Sequence, residues 1–215
     1  MLGENFIREQ EMRYAESHKA VFLDRDGTIN TEKNYLYKVN DFEFLQGVFK
    51  ALQILQKAEY RIIIITNQSG IARGYYTERE FNELTRWMNE ELLKHGIYVD
   101  AVYYCPHLPG APIKKYDKEC DCRKPGLGLF RRAIEEYELD ISQCYAIGDK
   151  IRDVSICAKT DCRGFLIANN EEKTIIEAVR NGKYRQVRYA DDLYAAAELI
   201  VQENSQEQIR LRENE

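Results

Sequence analysis

At 215 residues, 44% of them hydrophobic and 31% charged, the chain has the length of one sizeable α/β domain and the balance of a soluble globular protein, which excludes a disordered or collagen-like class. Lysine plus arginine is 31 against 36 aspartates and glutamates, a net charge of -5, so no global basic field draws the chain to nucleic acid. Its apolar runs fall far short of the roughly 18 residues that span a bilayer, and residues 3–19 lack the apolar core of a signal peptide, so the expectation is a cytoplasmic protein with no membrane partner.

Residues 1–18 are charged and form an N-terminal extension with no assignable role. Residues 20–23 are a short apolar strand that stops abruptly at Asp24-Arg25-Asp26-Gly27-Thr28-Ile29-Asn30. In open α/β sheets ligands bind beyond the carboxyl ends of the strands, so two acids at a strand tip sit where chemistry usually happens. Alternation along the strand end places Asp24 and Asp26 on one side, close enough to share a divalent cation. Asp, Gly and Asn are also ordinary turn residues, and Asp-x-Asp by itself would leave that bland reading ahead. Residues 31–40 read as a loop over the acid tip, with 41–45 as a short segment returning to the sheet.

An amphipathic helix is expected over 48–59, and 60–65, with four consecutive isoleucines, is expected as a central strand buried on both faces. It delivers Thr66-Asn67-Gln68-Ser69-Gly70 to the same edge as the acids. Thr77 and Glu80 have capping-box spacing before a helix over 78–94, which His95 closes without a chemical role. A third strand over 99–104 opens an irregular stretch, 105–126, too long for a compact domain unless something holds it. Helices over 129–137, 151–160, 173–180 and 191–202 alternate with strands over 143–147, 164–167 and 185–189, which argues for a doubly wound parallel sheet. The end, 203–215, is polar and expected to fray.

Cys105, His107, Cys120 and Cys122 bracket the irregular loop with three sulfurs and an imidazole, the closed tetrahedral donor set of a structural zinc site. Cys144, Cys157 and Cys162 fall on expected strands and helices and read as packing residues. Arg123 and Lys124 follow the last loop cysteine directly, and Gly148-Asp149-Lys150 with Asp153 forms a third polar cluster at a strand end.

The string from Asp24 to Asn30 resembles the first motif of the haloacid dehalogenase superfamily of phosphohydrolases, Thr66 its second, Lys124 its third, and Gly148-Asp149-Lys150 with Asp153 its fourth. Phe42-Glu43-Phe44, the run from Thr66 to Gly74, Tyr104-Cys105-Pro106-His107 and the run from Cys120 to Pro125 are similar to the D-glycero-D-manno-heptose 1,7-bisphosphate phosphatases, whose relatives, the histidinol-phosphate phosphatases, share the zinc loop. The resemblance implies a Rossmann-like fold without a large cap, with a phosphatase domain over 19–202 between the extension and the 203–215 tail. It implies an enzyme that removes the C7 phosphate of a heptose bisphosphate in nucleotide-activated heptose and lipopolysaccharide biosynthesis, and a monomer is expected.

In this reading Asp24 is the nucleophile and Asp26 the acid and base. Thr66 and Lys124 hold the phosphoryl oxygens, and Mg2+ lies on Asp24, the Asp26 carbonyl and Asp149. Asp153 would position Lys150 or a metal-bound water. Arg73 and Arg123 would take the second phosphate and Glu32, Lys33, Asn34 and Tyr35 the sugar, with Asn67, Gln68, Ser69 and Lys150 completing the substrate site. The rival readings are histidinol phosphate as substrate and a zinc-stabilised binding module without turnover.

Overall fold

The computed structural model describes residues 17–167 and 171–213. Six strands form one parallel sheet: β1 (Ala20–Leu23), β2 (Arg61–Asn67), β3 (Ala101–Cys105), β4 (Tyr145–Gly148), β5 (Arg163–Ile167) and β6 (Val187–Ala190), in the order β3-β2-β1-β4-β5-β6. The chain reverses its direction of growth between β1 and β4, and that reversal leaves a crevice at the carboxyl ends of these two strands.

The strands are continuous apolar runs because both faces are covered. Val21, Leu23, Ile62, Ile64 and Ile147 point into one core with helices α1 (Val48–Lys57), α3 (Glu78–Lys94) and α6 (Leu193–Glu213). Their neighbours Ala20, Phe22, Ile63, Ile65 and Ala146 point into the other, with α4 (Gly128–Glu136) and α5 (Lys173–Arg180). Phe22 meets Phe130 edge to face at 5.4 Å across the second core. Each such fully buried large side chain stabilises the fold by roughly 1.5–3 kcal/mol. Thr77 and Glu80 form the expected reciprocal cap at the start of α3.

The structure departs from expectation in four places. Residues 41–45 add no strand to the sheet; Val39–Asp41 is a 3-10 turn and Phe44 makes one isolated bridge to Asn30. Ile151–Ala158 is a kinked 3-10 helix, broken at Val154, and an unforeseen single turn, α2 (Gly70–Arg73), follows β2. The last helix runs on to Glu213. Two polar residues just past Gln202 are tied down, since Glu203 accepts from the Tyr145 hydroxyl at 2.8 Å and pairs with Arg163 and Arg188, and Asn204 meets the Tyr60 hydroxyl.

Most of the N-terminal extension lies outside the described residues. Ser17 and His18 already belong to the fold through bonds to Glu59 and Glu138. No cap domain is inserted among the described residues, and none of their helices is long and apolar enough to cross a membrane.

Candidate active site

Asp24 follows β1 directly and is still held in the sheet, its N–H donating to the Ile147 carbonyl at 3.1 Å. The chain then folds back through Gly27, whose left-handed φ of 84° no side chain adopts cheaply, so that Ile29 and Asn30 donate to the Arg25 carbonyl. The Lys124 ammonium reaches into this tip and is almost wholly buried. It lies 2.7 Å from Asp24 Oδ1, 2.8 Å from Asp153 Oδ1 and 2.6 Å from the Ile65 carbonyl.

Asp153 comes so close to the end of β4 that a Cβ at Gly148 would stand 2.3 Å from its own Cβ, which is why glycine ends that strand. Burial pushes the Asp24 carboxyl up to about 7 against the pull of Lys124, with Asp153 and Asp26 adding to the rise. Burial works against the Lys124 charge, but Asp153 and Asp24 outweigh it and raise the lysine.

Carboxylate oxygens of Asp24, Asp149 and Asp153 lie within 4.8 Å of one another, and all three residues are buried. Three carboxylates together offer hard oxygen donors that fit a hard divalent cation, since buried charge must be compensated. Asp153 thus belongs to the possible metal group itself. Its Oδ2 also accepts from the Lys150 backbone N–H, while its ion pairs come from Lys124 at 2.8 Å and, more loosely, from Arg152 at 3.9 Å.

The Asp26 carboxylate is surrounded by donors. Arg25 grips both oxygens at 2.9–3.2 Å, Asn30 Nδ2 donates at 3.0 Å and Gln68 Nε2 at 3.0 Å. Gln68 Nε2 also donates to Thr66 Oγ1 at 2.9 Å, which leaves the Thr66 hydroxyl proton free to donate elsewhere. Tyr76 fixes the Gln68 amide by donating to its oxygen at 2.5 Å, and its own ring fills the space at Gly70, where a Cβ would lie 2.2 Å away. Asn67 clamps the Lys124 backbone from both sides: its amide donates to the Lys124 carbonyl at 3.1 Å and its oxygen accepts the Lys124 N–H at 3.0 Å. Asn67 and Gln68, expected at the substrate, therefore spend these hydrogen bonds on orienting Lys124, Asp26 and Thr66.

The second cluster lies in the loop after β3. Cys105 Sγ is 3.6 Å from Cys120 Sγ and 3.1 Å from Cys122 Sγ, and His107 Nδ1 is 3.1 Å from Cys122 Sγ and 3.7 Å from Cys105 Sγ. A zinc–sulfur bond of about 2.3 Å sets tetrahedral edges of about 3.7 Å, whereas a disulfide needs about 2.05 Å. All six cysteines are free thiols, and this quartet could hold one metal ion. Burial drives the Cys105 thiol up and, with Lys118, drives His107 down, so a thiolate here needs a cation while the imidazole is ready as a neutral ligand.

Asp121, between the two loop cysteines, ties the loop to α4: its carbonyl accepts from Gly128 N–H at 2.8 Å, and a Cβ at Gly126 would sit 2.4 Å from that oxygen. Glu78 holds the far side by accepting from Tyr104 at 3.0 Å and Lys115 at 3.1 Å, and from Tyr116.

The residues expected to line the sugar lie on loops. Glu32 accepts from the Asn34 N–H, Lys33 pairs with Glu43, and Asn34 and Tyr35 are consecutive left-handed residues with φ of 46° and 65°. Tyr35 is exposed, lies against Tyr75 at 4.7 Å and faces the Arg73 guanidinium at 5.7 Å. Arg123 is half-buried and donates to the His107 carbonyl at 3.4 Å; Ser69 precedes α2 and is half-buried. The sequence reading assigned nothing to Arg25, Tyr76 or Asp121. An arginine set between two acids at the tip of an apolar strand was the available signal for the first; the other two carried none.

Parallel strands that deliver a buried aspartate, a lysine ion-paired to it and further carboxylates to one switch point define a phosphohydrolase of the haloacid dehalogenase class. The polynucleotide kinase 3 phosphatase family model matches residues 19–197. A D-glycero-beta-D-manno-heptose-1,7-bisphosphate 7-phosphatase from Haemophilus ducreyi is 48% identical over 63% of this chain and 75% of its own length, and one from Escherichia coli is 42% identical over 65% and 73%. The crystal structure of a D,D-heptose 1,7-bisphosphate phosphatase from B. bronchiseptica, complexed with magnesium and phosphate, is 32% identical, covers 86% of this chain and 99% of its own, and superposes with a TM-score of 0.73. The chain belongs to the family of these heptose bisphosphate phosphatases, within the wider group that the family model describes.

Proposed function

We propose that the chain hydrolyses the C7 phosphate of D-glycero-β-D-manno-heptose 1,7-bisphosphate through an aspartyl-phosphate on Asp24. The observation that carries the mechanism is the buried contact of Lys124 Nζ with Asp24 Oδ1 at 2.7 Å, because it sets a cation where phosphoryl charge must be neutralised, beside the attacking carboxylate. The substrate comes from the relatives at 42–48% identity, whose names also specify the β anomer.

An Asp24 oxygen attacks phosphorus, the bond from phosphorus to the C7 oxygen breaks, and Asp26 gives its proton to that departing oxygen. A water then attacks the same phosphorus, Asp26 takes its proton, and the bond to Asp24 breaks to release phosphate. Thr66 donates its free hydroxyl proton, and Lys124 its charge, to the phosphoryl oxygens. Asp24, Asp149 and Asp153, with the Asp26 carbonyl, would hold Mg2+, which supplies charge neutralisation at the phosphoryl group. Cys105, His107, Cys120 and Cys122 would hold Zn2+, fixing the loop that carries Arg123 and Lys124.

Arg73 and Arg123 would grip the C1 phosphate, and Glu32, Lys33, Asn34, Tyr35 and Ser69 with Lys150 would line the sugar. Neither nucleic acid nor a partner chain enters this reading: a monomer would work in the cytoplasm, whose reducing conditions suit thiolate ligands, on the way to nucleotide-activated heptose.

Phosphate release from both heptose bisphosphate anomers and from histidinol phosphate, with and without Mg2+, tests it. The β-heptose bisphosphate should give the highest kcat/KM, and only with Mg2+. Preference for histidinol phosphate, or no release from any ester by folded, Mg2+-loaded protein, would overturn it.

A further inference from the structure

Among the described residues Arg25 is the largest side chain that the fold buries completely, at 0% exposure, and it lies between the two aspartates of the strand tip. A fully buried guanidinium is costly unless it is paired, so its partners reveal its use. Nε and Nη2 both reach both oxygens of Asp26. Nη2 also donates to the Leu36 carbonyl at 3.2 Å and to Gln68 Oε1 at 3.4 Å, while the face of the Phe81 ring lies 5.5 Å from the guanidinium carbon. The carboxylate it grips is the more accessible partner, with 15% of the Asp26 side chain exposed against 1% for Arg25. The arginine therefore stands behind the acid, on its protein side, and leaves its front toward the crevice.

Asn30 and Gln68 hold Asp26 from two further directions, and Gln68 is itself locked by Arg25 and Tyr76. A planar fork that cannot lose its proton suits this task better than a lysine, because two parallel donors fix the rotation of the carboxylate as well as its position.

We propose that Arg25 is the positioning residue for the acid and base of the reaction: its fork sets the angle at which Asp26 meets the leaving oxygen. This inference rests on the assignment of Asp26 as that acid. Proton delivery matters most when the departing oxygen is an alkoxide, which leaves poorly unprotonated, and least when it is a para-nitrophenolate, which leaves readily as the anion. Loss of the fork should therefore depend on the leaving group, which a general loosening of the fold would not.

The experiment compares wild type, Arg25→Lys, Arg25→Gln and Asp26→Asn on heptose bisphosphate and on para-nitrophenyl phosphate at saturating Mg2+. Arg25→Lys keeps the charge and most of the stem, so the chain should fold. Its kcat/KM, which ends at the first irreversible step and so excludes the later hydrolysis in which Asp26 serves every ester as base, should fall at least about tenfold on the sugar ester and less than about threefold on the aryl ester. Arg25→Gln should lose more of the sugar activity, with lysine rescuing part of it. Asp26→Asn separates the two levels of the argument. If it lacks a leaving-group dependence, the acid assignment falls and this inference with it. If it has one and Arg25→Lys loses both activities equally, or neither, the positioning role alone is overturned. Failure of Arg25→Lys to fold would also overturn it, by assigning the guanidinium to the fold.

Discussion

Asp24 and Asp149 meet because β1 and β4 end side by side, and the groups around them are buried and fixed by regular backbone. Cys105, His107, Cys120 and Cys122 meet across a loop whose one regular segment is the 3-10 turn Lys114–Tyr116. The sheet fixes the first cluster by regular backbone, whereas the second is a set of thiols and an imidazole in an irregular loop that a shared cation could cross-link. The two are separated by a single residue, Arg123, since Cys122 ends the loop cluster and Lys124 enters the sheet cluster. In the proposed mechanism, chemistry in the rigid region thus depends on a cation, Lys124, delivered from the loop whose thiols and imidazole could share a metal ion.

The sharpest break in this comparison should come on the sheet side. Asp24→Asn keeps the shape of the side chain but cannot attack phosphorus, so turnover should drop at least about a thousandfold with the circular dichroism spectrum unchanged. Substantial turnover in a folded variant would remove Asp24 from the nucleophile's place.

A smaller effect is expected where the loop enters the sheet. Asn67→Ala deletes both clamps on the Lys124 backbone but leaves its three side-chain partners, so kcat should fall about tenfold, less than the roughly hundredfold that a full ångström of misplacement costs. An unchanged kcat would show that the side-chain contacts alone hold the lysine.

The smallest effect is on stability and sharpens the view of the acid cluster as an ion site. Mg2+ at about a hundred times its Kd should add about 2.7 kcal/mol and raise the melting temperature by roughly 5–10 °C. The folded Asp24 carboxyl is raised to about 7 by burial, so in metal-free protein its contribution is fully present below the ordinary aspartate range and is lost as pH rises through 7. Protons compete with the cation for that carboxylate, so the Mg2+-induced rise should be full above pH 7 and shrink as pH falls through it. A rise independent of pH would place the ion elsewhere.

Much of this was legible beforehand because the elements that build the site are periodic and apolar. The four isoleucines of β2 and the run from Ala20 to Leu23 announce buried parallel strands, and the polar residues that end them announce the edge where chemistry sits. The Thr77 to Glu80 spacing fixed the start of α3 to the residue. Side-chain partners were less legible. Asn67 and Gln68 look like substrate donors in sequence, yet the crossing of β2 with the loop and with Tyr76 commits their amides to Lys124, Asp26 and Thr66. Asp153 reaches the metal group because Gly148 lacks a Cβ, a contact that spacing does not reveal. The helix beyond Gln202 was missed because polar residues suggest fraying, and only the fold shows Glu203 and Asn204 meeting Tyr145 and Tyr60.

The dependence of the sheet cluster on the loop cluster is tested most directly by Cys122→Ser, with metal content, circular dichroism and turnover measured on the same preparation. Losing a thiolate should release the zinc, let Lys124 drift and lower kcat on the order of a hundredfold, while helix and strand content stays near native because both cores lie outside the loop. A variant without zinc that kept wild-type turnover at saturating Mg2+ would contradict the account, because Lys124 would then hold its place without the loop.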